Sequence, residues 1–273
     1  MTFKRASDCS SDTIVSTLNR GFENYLVELS FSRSLVLGML TRDSIDLEQS
    51  WIAEIDDRPV AIALIAQRGW TARLASMGVA AEVRGQGIGK ALLEKVTQEL
   101  IASETREFVC EVVEQNAPAV SLYQNAGFET IRRLLGFQHS ETEAGVAETQ
   151  LEEVDIAEVA RQLSIEPLAD LPWQLSAPGL VTRSSPYRAF TTGTAFAVVS
   201  DPANPLINLL SLVTRPDHRR QGEATRLVET LLHSFPGKSW SASALWPEEL
   251  APIFTANGFQ VGEISQLQLK KRL

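Results

Sequence analysis

Apolar positions in this chain recur at two spacings, and the spacings divide it into strands and helices. Across residues 70–79, Leu74, Met77 and Val79 sit among small residues, the pattern of a buried strand. From there Ile88, Leu92, Val96 and Leu100 recur every four residues, which predicts a helix with one apolar face. Residues 107–113 alternate and are rich in β-branched types, so they read as a second strand. Upstream, residues 3–6 suggest a short strand. Residues 7–20 suggest a helix capped by Ser7 or Asp8, with Ile14, Val15 and Leu18 facing inward. Residues 21–25 break that helix, 35–40 suggest another, and 48–55 and 60–66 form a hairpin around the turn Asp56-Asp57-Arg58-Pro59.

Between the strand at 70–79 and the helix from Ile88 lies Arg84-Gly85-Gln86-Gly87-Ile88-Gly89-Lys90. Glycines without Cβ let a backbone approach a ligand closely. The free N–H groups and dipole at a helix N-terminus favour an anion. Together these features describe a phosphate cradle, and spacing decides its type. A P-loop needs four residues between its first glycine and Gly-Lys, followed by Ser or Thr. Here three separate Gly85 from Gly89, and Ala91 follows Lys90. The dinucleotide fingerprint G-x-G-x-x-G is not matched by this G-x-G-x-G run.

Downstream, Asn116 makes a good N-cap, Pro118 is tolerated in the first turn, and Gly127 is a helix stop. Arg84, Gly87 and Gly89 in the order Arg-x-x-Gly-x-Gly, with Val79 leading in, resemble the acetyl-CoA loop of the GCN5-related N-acetyltransferase (GNAT) superfamily. The order Asn116, Ala117-Pro118, Leu122-Tyr123, Gly127-Phe128 resembles the second signature of the same family. Ala81 departs from the pattern, since many members have proline there.

The second half repeats the first in weaker form. Residues 208–214 read as a strand, and Arg219, Gly222 and Ala224 fall where Arg84, Gly87 and Gly89 stand. The run Ala251-Pro252 to Gly258-Phe259 echoes the second signature, with Phe254 in place of Tyr123 and Pro247 roughly in place of Asn116. Glu223 replaces Ile88 and sets a carboxylate where a pyrophosphate would lie. The reading is therefore an α/β protein (an α+β mixed sheet) of two tandem GNAT-like acyl-CoA N-acyltransferase folds. The expected domains are 1–139 (acetyltransferase), an acidic linker at 140–164, and a degenerate copy at 165–273. The linker rests on seven acidic residues, at 141, 143, 148, 152, 153, 155 and 158, with no lysine or arginine among residues 141–158. The second copy is read as structural or as shaping the acceptor cleft. A second, weaker CoA site is the alternative.

Composition narrows the function classes. Among 273 residues, 44% are hydrophobic and 22% charged, as in a soluble globular protein. No run approaches a membrane span, and the first residues lack a signal peptide's apolar core. A net charge of −9 argues against a general nucleic-acid binder. Cys9 and Cys110 are far apart, and His139, His218 and His233 do not cluster, so no metal site is expected. The expectation is a cytoplasmic monomer or homodimer without nucleic-acid or membrane partners.

The resemblance implies acetyl transfer from acetyl-CoA to a small-molecule or peptide amine, by direct attack in a ternary complex. It implies acetyl-CoA contacts from Met77, Gly78 and Val79 on the strand, from Arg84 to Lys90 in the loop, and from Asn116. Tyr123 matches the family's proton donor to the departing thiolate. Its other reading is a helix tyrosine packed on the sheet. Glu111 and Glu114 are candidates for steering a water or acting as base, and both could simply be solvated. Phe22, Tyr25 and Phe31 fall where the acceptor is covered in that family, or form ordinary core. The competing functions are a non-catalytic acyl-CoA sensor and an acyltransferase with a non-amine acceptor.

Overall fold

A computed structural model describes residues 1–140, 149–165 and 168–273. The chain divides into two compact units: unit 1, residues 1–131 with 267–273, and unit 2, residues 132–266.

Unit 1 is built around a hairpin. Strands β2 (Ile45–Ile55) and β3 (Arg58–Arg68) pair antiparallel through Asp56 and Asp57, both at positive φ, the geometry of a tight two-residue hairpin turn. Strand β1 (Thr2–Arg5) flanks β2, and β4 (Thr71–Val79) flanks β3. Helix α1 (Ser11–Gly21) starts later than its apolar pattern suggested. Ser10, not Ser7 or Asp8, is the cap, with its hydroxyl accepting from Thr13 N at 3.1 Å, and residues 6–8 form a 3-10 turn. Ile14 and Leu18 are buried as expected, while Val15 is half-buried. Helix α2 spans Arg33–Arg42, α3 Ile88–Ala102 and α4 Ala117–Asn125, with β5 (Glu107–Val113) between the last two.

Helices α3 and α4 cover one face of this sheet. Ile88, Leu92, Val96 and Leu100 are buried there with Leu74, Phe108 and Cys110, as the four-residue spacing predicts. Helix α1 crosses the opposite face so closely that a Cβ on Gly78 would come within 2.9 Å of Gly21 Cα.

The sheet of unit 1 is finished by the far end of the chain. Its order is β1-β2-β3-β4-β5, followed by residues 267–272 of β12 (Gln260–Arg272). Leu273 N donates to Arg106 O at 2.9 Å, and Leu269 is buried in the unit 1 core. These bounds differ from the expected domains, because residues 132–139 of β6 (Glu129–His139) belong to unit 2 and 267–273 to unit 1.

Unit 2 contains β7 (Glu152–Val154), α5 (Ile156–Ile165), α6 (Ala177–Leu180), β8 (Arg188–Thr191), β9 (Ala195–Val199), β10 (Leu206–Thr214), α7 (Glu223–Ser234), β11 (Ser239–Pro247) and α8 (Ala251–Thr255). Its strands run β6-β11-β10-β9-β8-β7, with the first part of β12 beside β6. The expected linker thus holds a strand and a helix. Val159, Ala160 and Leu163 of α5 are buried against Phe196 and Val198, and Glu158, the one acid of this helix, is partly buried and pairs with Arg161. The linker's residues 141–148 lie outside those described.

Candidate acyl-CoA and acid site

Strands β4 and β5 set up the site by failing to stay paired. They run parallel from Thr71 opposite Glu107 to Leu74 opposite Cys110, and the pairing ends there. A bulge at Ala75 interrupts the pairing of β4 with β3 at the same level. Residues 75–79 therefore have no partner strand on the β5 side, in a wedge that includes the Met77, Gly78 and Val79 read from the sequence.

The glycine loop closes one end of this wedge. Gly85 and Gly87 have φ of +78° and +82°, a region that side chains disfavour, and a Cβ at either would meet open space. Conformation demands these glycines, and the space above them is clear. The first helical hydrogen bond of α3 runs from Ala91 N to Gly87 O, leaving the N–H groups of Gly87, Ile88, Gly89 and Lys90 without helical acceptors. Gly89 is a different case, since its Cβ would make ordinary contacts with Leu122 and Val79 at 3.5 Å. Ile88 is buried in the core, and the Lys90 side chain is exposed beside Glu94 at 3.8 Å.

Arg84 organises the cradle through its neighbours' carbonyls. Its guanidinium donates to Val79 O (2.9 Å), Gly21 O (3.1 Å) and Glu23 O (2.8 Å), tying the end of β4 to the end of α1. Gln86 Nε2 donates to Glu82 O at 3.4 Å.

Tyr123 lies against the open part of β4. It is 8% exposed, and its hydroxyl is 3.9 Å from Met77 Sδ. Burial raises its pKa above the ordinary tyrosine value, and nearby Cys110 and Tyr25 push in the same direction. The hydroxyl therefore keeps its proton at neutral pH. Tyr25 stacks edge-on to Phe22 (5.2 Å between centroids), and Phe31 packs on Phe22 at 5.4 Å. These three half-buried aromatics form one cluster, and Phe22 borders Gly78 on β4. Asn116 caps α4, its Oδ1 accepting from Ala119 N at 3.3 Å. Among the described residues its Nδ2 group has no acceptor.

Glu111 lies on the other face of β5 from Cys110, since neighbouring strand residues alternate. Its Oε2 accepts from Arg73 Nε at 2.7 Å, with side chains only 3% and 8% exposed, while Oε1 is buried without a partner among the described residues. Arg73 was not among the sequence candidates. The signal was a lone charge inside an apolar strand, which requires a buried partner. Glu114 follows the end of β5. Among the described residues no group of three or more His, Cys, Asp or Glu could hold a metal ion.

Comparison with known proteins agrees with this geometry. The sequence matches the acetyltransferase (GNAT) family over residues 19–128, which contain the wedge, the cradle and Tyr123. No curated protein matches the chain in sequence. The fold resembles a tandem GNAT protein from the clavulanic acid biosynthesis pathway, at 16% identity and a TM-score of 0.66, covering 99% of this chain and 98% of that one. It also resembles a GCN5-related N-acetyltransferase from Sphaerobacter thermophilus, at 14% identity and a TM-score of 0.67, covering 99% and 95%. Residues 19–128 are thus an acetyltransferase (GNAT) family domain, and the chain as a whole has the fold of these tandem GNAT structures.

Proposed function

We propose that unit 1 transfers an acetyl group from acetyl-CoA to a primary amine of a small molecule or peptide. The observation that carries this reading is the cradle of unpaired N–H groups at one end of the wedge that also holds the protonated, buried Tyr123 hydroxyl.

Acetyl-CoA supplies the activated acyl group, and the residues present fit it. The helix N-terminus at Gly87 to Lys90 and the open space over Gly85 and Gly87 suit its phosphates. The strand backbone of residues 75–78, which has no β5 partner, and Asn116 Nδ2 suit its amide-bearing arm. A backbone N–H in the splayed part of β4 would polarise the thioester carbonyl. Tyr123 would give its proton to the departing thiolate, whose free pKa is about 8.5. On the opposite face, Glu111 Oε1 is the acceptor best suited to hold the incoming amine or an ordered water, with Arg73 fixing the carboxylate. Glu114, just beyond the strand, is the second candidate for that role. The Phe22, Tyr25 and Phe31 cluster would border the acceptor.

The test is thiol release from acetyl-CoA in the presence of a panel of primary amines, with mass spectrometry of the products. An N-acetylated product is the expected outcome. Calorimetry that finds no acetyl-CoA binding would defeat the reading, and acetylation of hydroxyl or thiol acceptors alone would replace the amine.

A further inference from the structure

Unit 2 keeps the frame of the unit 1 site and changes its chemistry. Strand β10 bulges at Leu210, as β4 does at Ala75. Its parallel pairing with β11 stops at Asn208 opposite Ser241, so β10 also has an open stretch beyond that point. The loop that follows has the same backbone. Gly222 has φ +82° like Gly87, and Arg220 sits at +58° where Gly85 sits at +78°. Arg219 Nε donates to Thr214 O at 3.3 Å, the counterpart of Arg84 to Val79.

The first turn of the helix, however, carries a negative charge where unit 1 has the apolar Ile88. Glu223, the first residue of α7, accepts from Thr194 Oγ1 at 2.7 Å and pairs with Arg226. The Thr194 hydrogen bond, followed by Arg226, lowers the pKa of Glu223 below the ordinary carboxylate value, so the group is anionic at neutral pH. Unit 2 thus has an ion pair, Glu223 with Arg226, in the first turn of the helix. The acid is gone as well. Phe254, fully buried and stacked on Phe137 with centroids 4.1 Å apart, fills the Tyr123 position.

An apolar cavity of about 610 Å³ occupies this wedge instead, walled by Leu163, Leu171, Leu175, Leu212, Trp246 and Ile253. That volume is in the range of small-molecule sites. Ser211, 1% exposed, lines it with a hydroxyl that has no partner among the described residues. The acids of its lining are engaged, Glu223 by Arg226 and Glu249 by Arg132 at 2.7 Å. Arg220 also lines the cavity, is exposed, and has no hydrogen bond or ion pair among the described residues. Among the described residues, the charge left unpaired beside this apolar space is that of Arg220.

We propose that the wedge of unit 2 is a binding site for a small carboxylic acid with an apolar chain, the chain lying between Leu212, Trp246 and Ile253 and the carboxylate on Arg220. The pairing of an apolar cavity with a cation that has no partner among the described residues selects this class over amines, which Arg220 repels.

The experiment is calorimetric titration of the full chain with sodium decanoate below its micelle concentration, with decyltrimethylammonium as the opposite head group. The expected result is one decanoate site, at least tenfold weaker binding of the cationic probe, and no competition by acetyl-CoA. Arg220→Gly removes the charge at a φ that glycine prefers, so this variant folds at least as well as the parent. It should weaken decanoate binding at least tenfold. Leu212→Trp, which fills the cavity, should abolish binding, and Ile253→Trp does the same if the first variant unfolds early. Absence of decanoate binding at millimolar concentration overturns the proposal. So does equal affinity for the cationic probe, unchanged binding in Arg220→Gly, or displacement by acetyl-CoA, which would make the wedge a second CoA site.

Discussion

Replacing Tyr123 with phenylalanine tests the acid role with little structural disturbance. The hydroxyl's hydrogen bond is a long one, to Met77 Sδ at 3.9 Å, so its loss should cost under about 1 kcal/mol of stability. The chain itself shows that phenylalanine fits such a place, because Phe254 fills the matching position of unit 2. The ring contacts with Phe128 stay. Acetyl-CoA affinity should therefore change little, while turnover loses whatever proton donation supplies, about 10²- to 10⁴-fold. That loss corresponds to about 2.7–5.5 kcal/mol at 1.36 kcal/mol per tenfold. The assay is the rate of thiol release at saturating acetyl-CoA and amine, alongside the acetyl-CoA Kd by calorimetry. Turnover within about threefold of the parent would refute the acid role and leave Tyr123 a packing residue. A Kd weakened by the same factor as turnover would refute it too, since the hydroxyl would then act in binding.

Other outcomes follow from the same geometry. Arg73→Met leaves the Glu111 carboxylate buried and unpaired, so it should cost about 3–5 kcal/mol in chemical denaturation, and the double variant with Glu111→Met should recover most of that. Gly87→Ala forces a side chain onto φ +82°, at about 1–2 kcal/mol, and should weaken acetyl-CoA binding, whereas Gly89→Ala, which unit 2 already carries as Ala224, should be nearly neutral in stability. Arg84→Ala removes three bonds to backbone carbonyls, and discounted for exposure it should lower stability by about 1–2 kcal/mol, read as a thermal midpoint drop of about 2–4 °C per kcal/mol. Burial raises the pKa of both Cys110 and Tyr123, so the unfolded chain gives up these protons before the folded one does. Their contribution is complete at neutral pH and fades as pH climbs past about 9 for the thiol and about 10 for the phenol. Unfolding midpoints measured from pH 7 to 11 should fall along that course, and less steeply in a Cys110→Ala, Tyr123→Phe double variant.

The sequence by itself determined the local parts. Four-residue spacing fixed which face of α3 is buried, the two glycines ahead of it fixed a loop that few side chains tolerate, and Asn116 fixed the start of α4. These are short-range matters, settled by periodicity, φ and capping within a few residues. The echo at Arg219, Gly222 and Ala224 likewise marked a second copy, because a loop's backbone follows its own residues. What was missed depends on distant partners. Nothing near Arg73 announces Glu111, since β4 and β5 meet across a crossover of more than 25 residues. The acidic stretch looked like a connector because Val159, Ala160 and Leu163 acquire meaning only against Phe196 and Val198. The bounds of the two compact units differ from the expected domains for the same reason. Residues 132–139 could have been completed by either half of the chain on local pattern alone, and only the pairing of β6 with β11 assigns them to unit 2. Strand partners are chosen by tertiary burial, which local alternation cannot encode. The unit 2 cavity belongs to the same class, because its walls come from four separate stretches of sequence that only folding assembles.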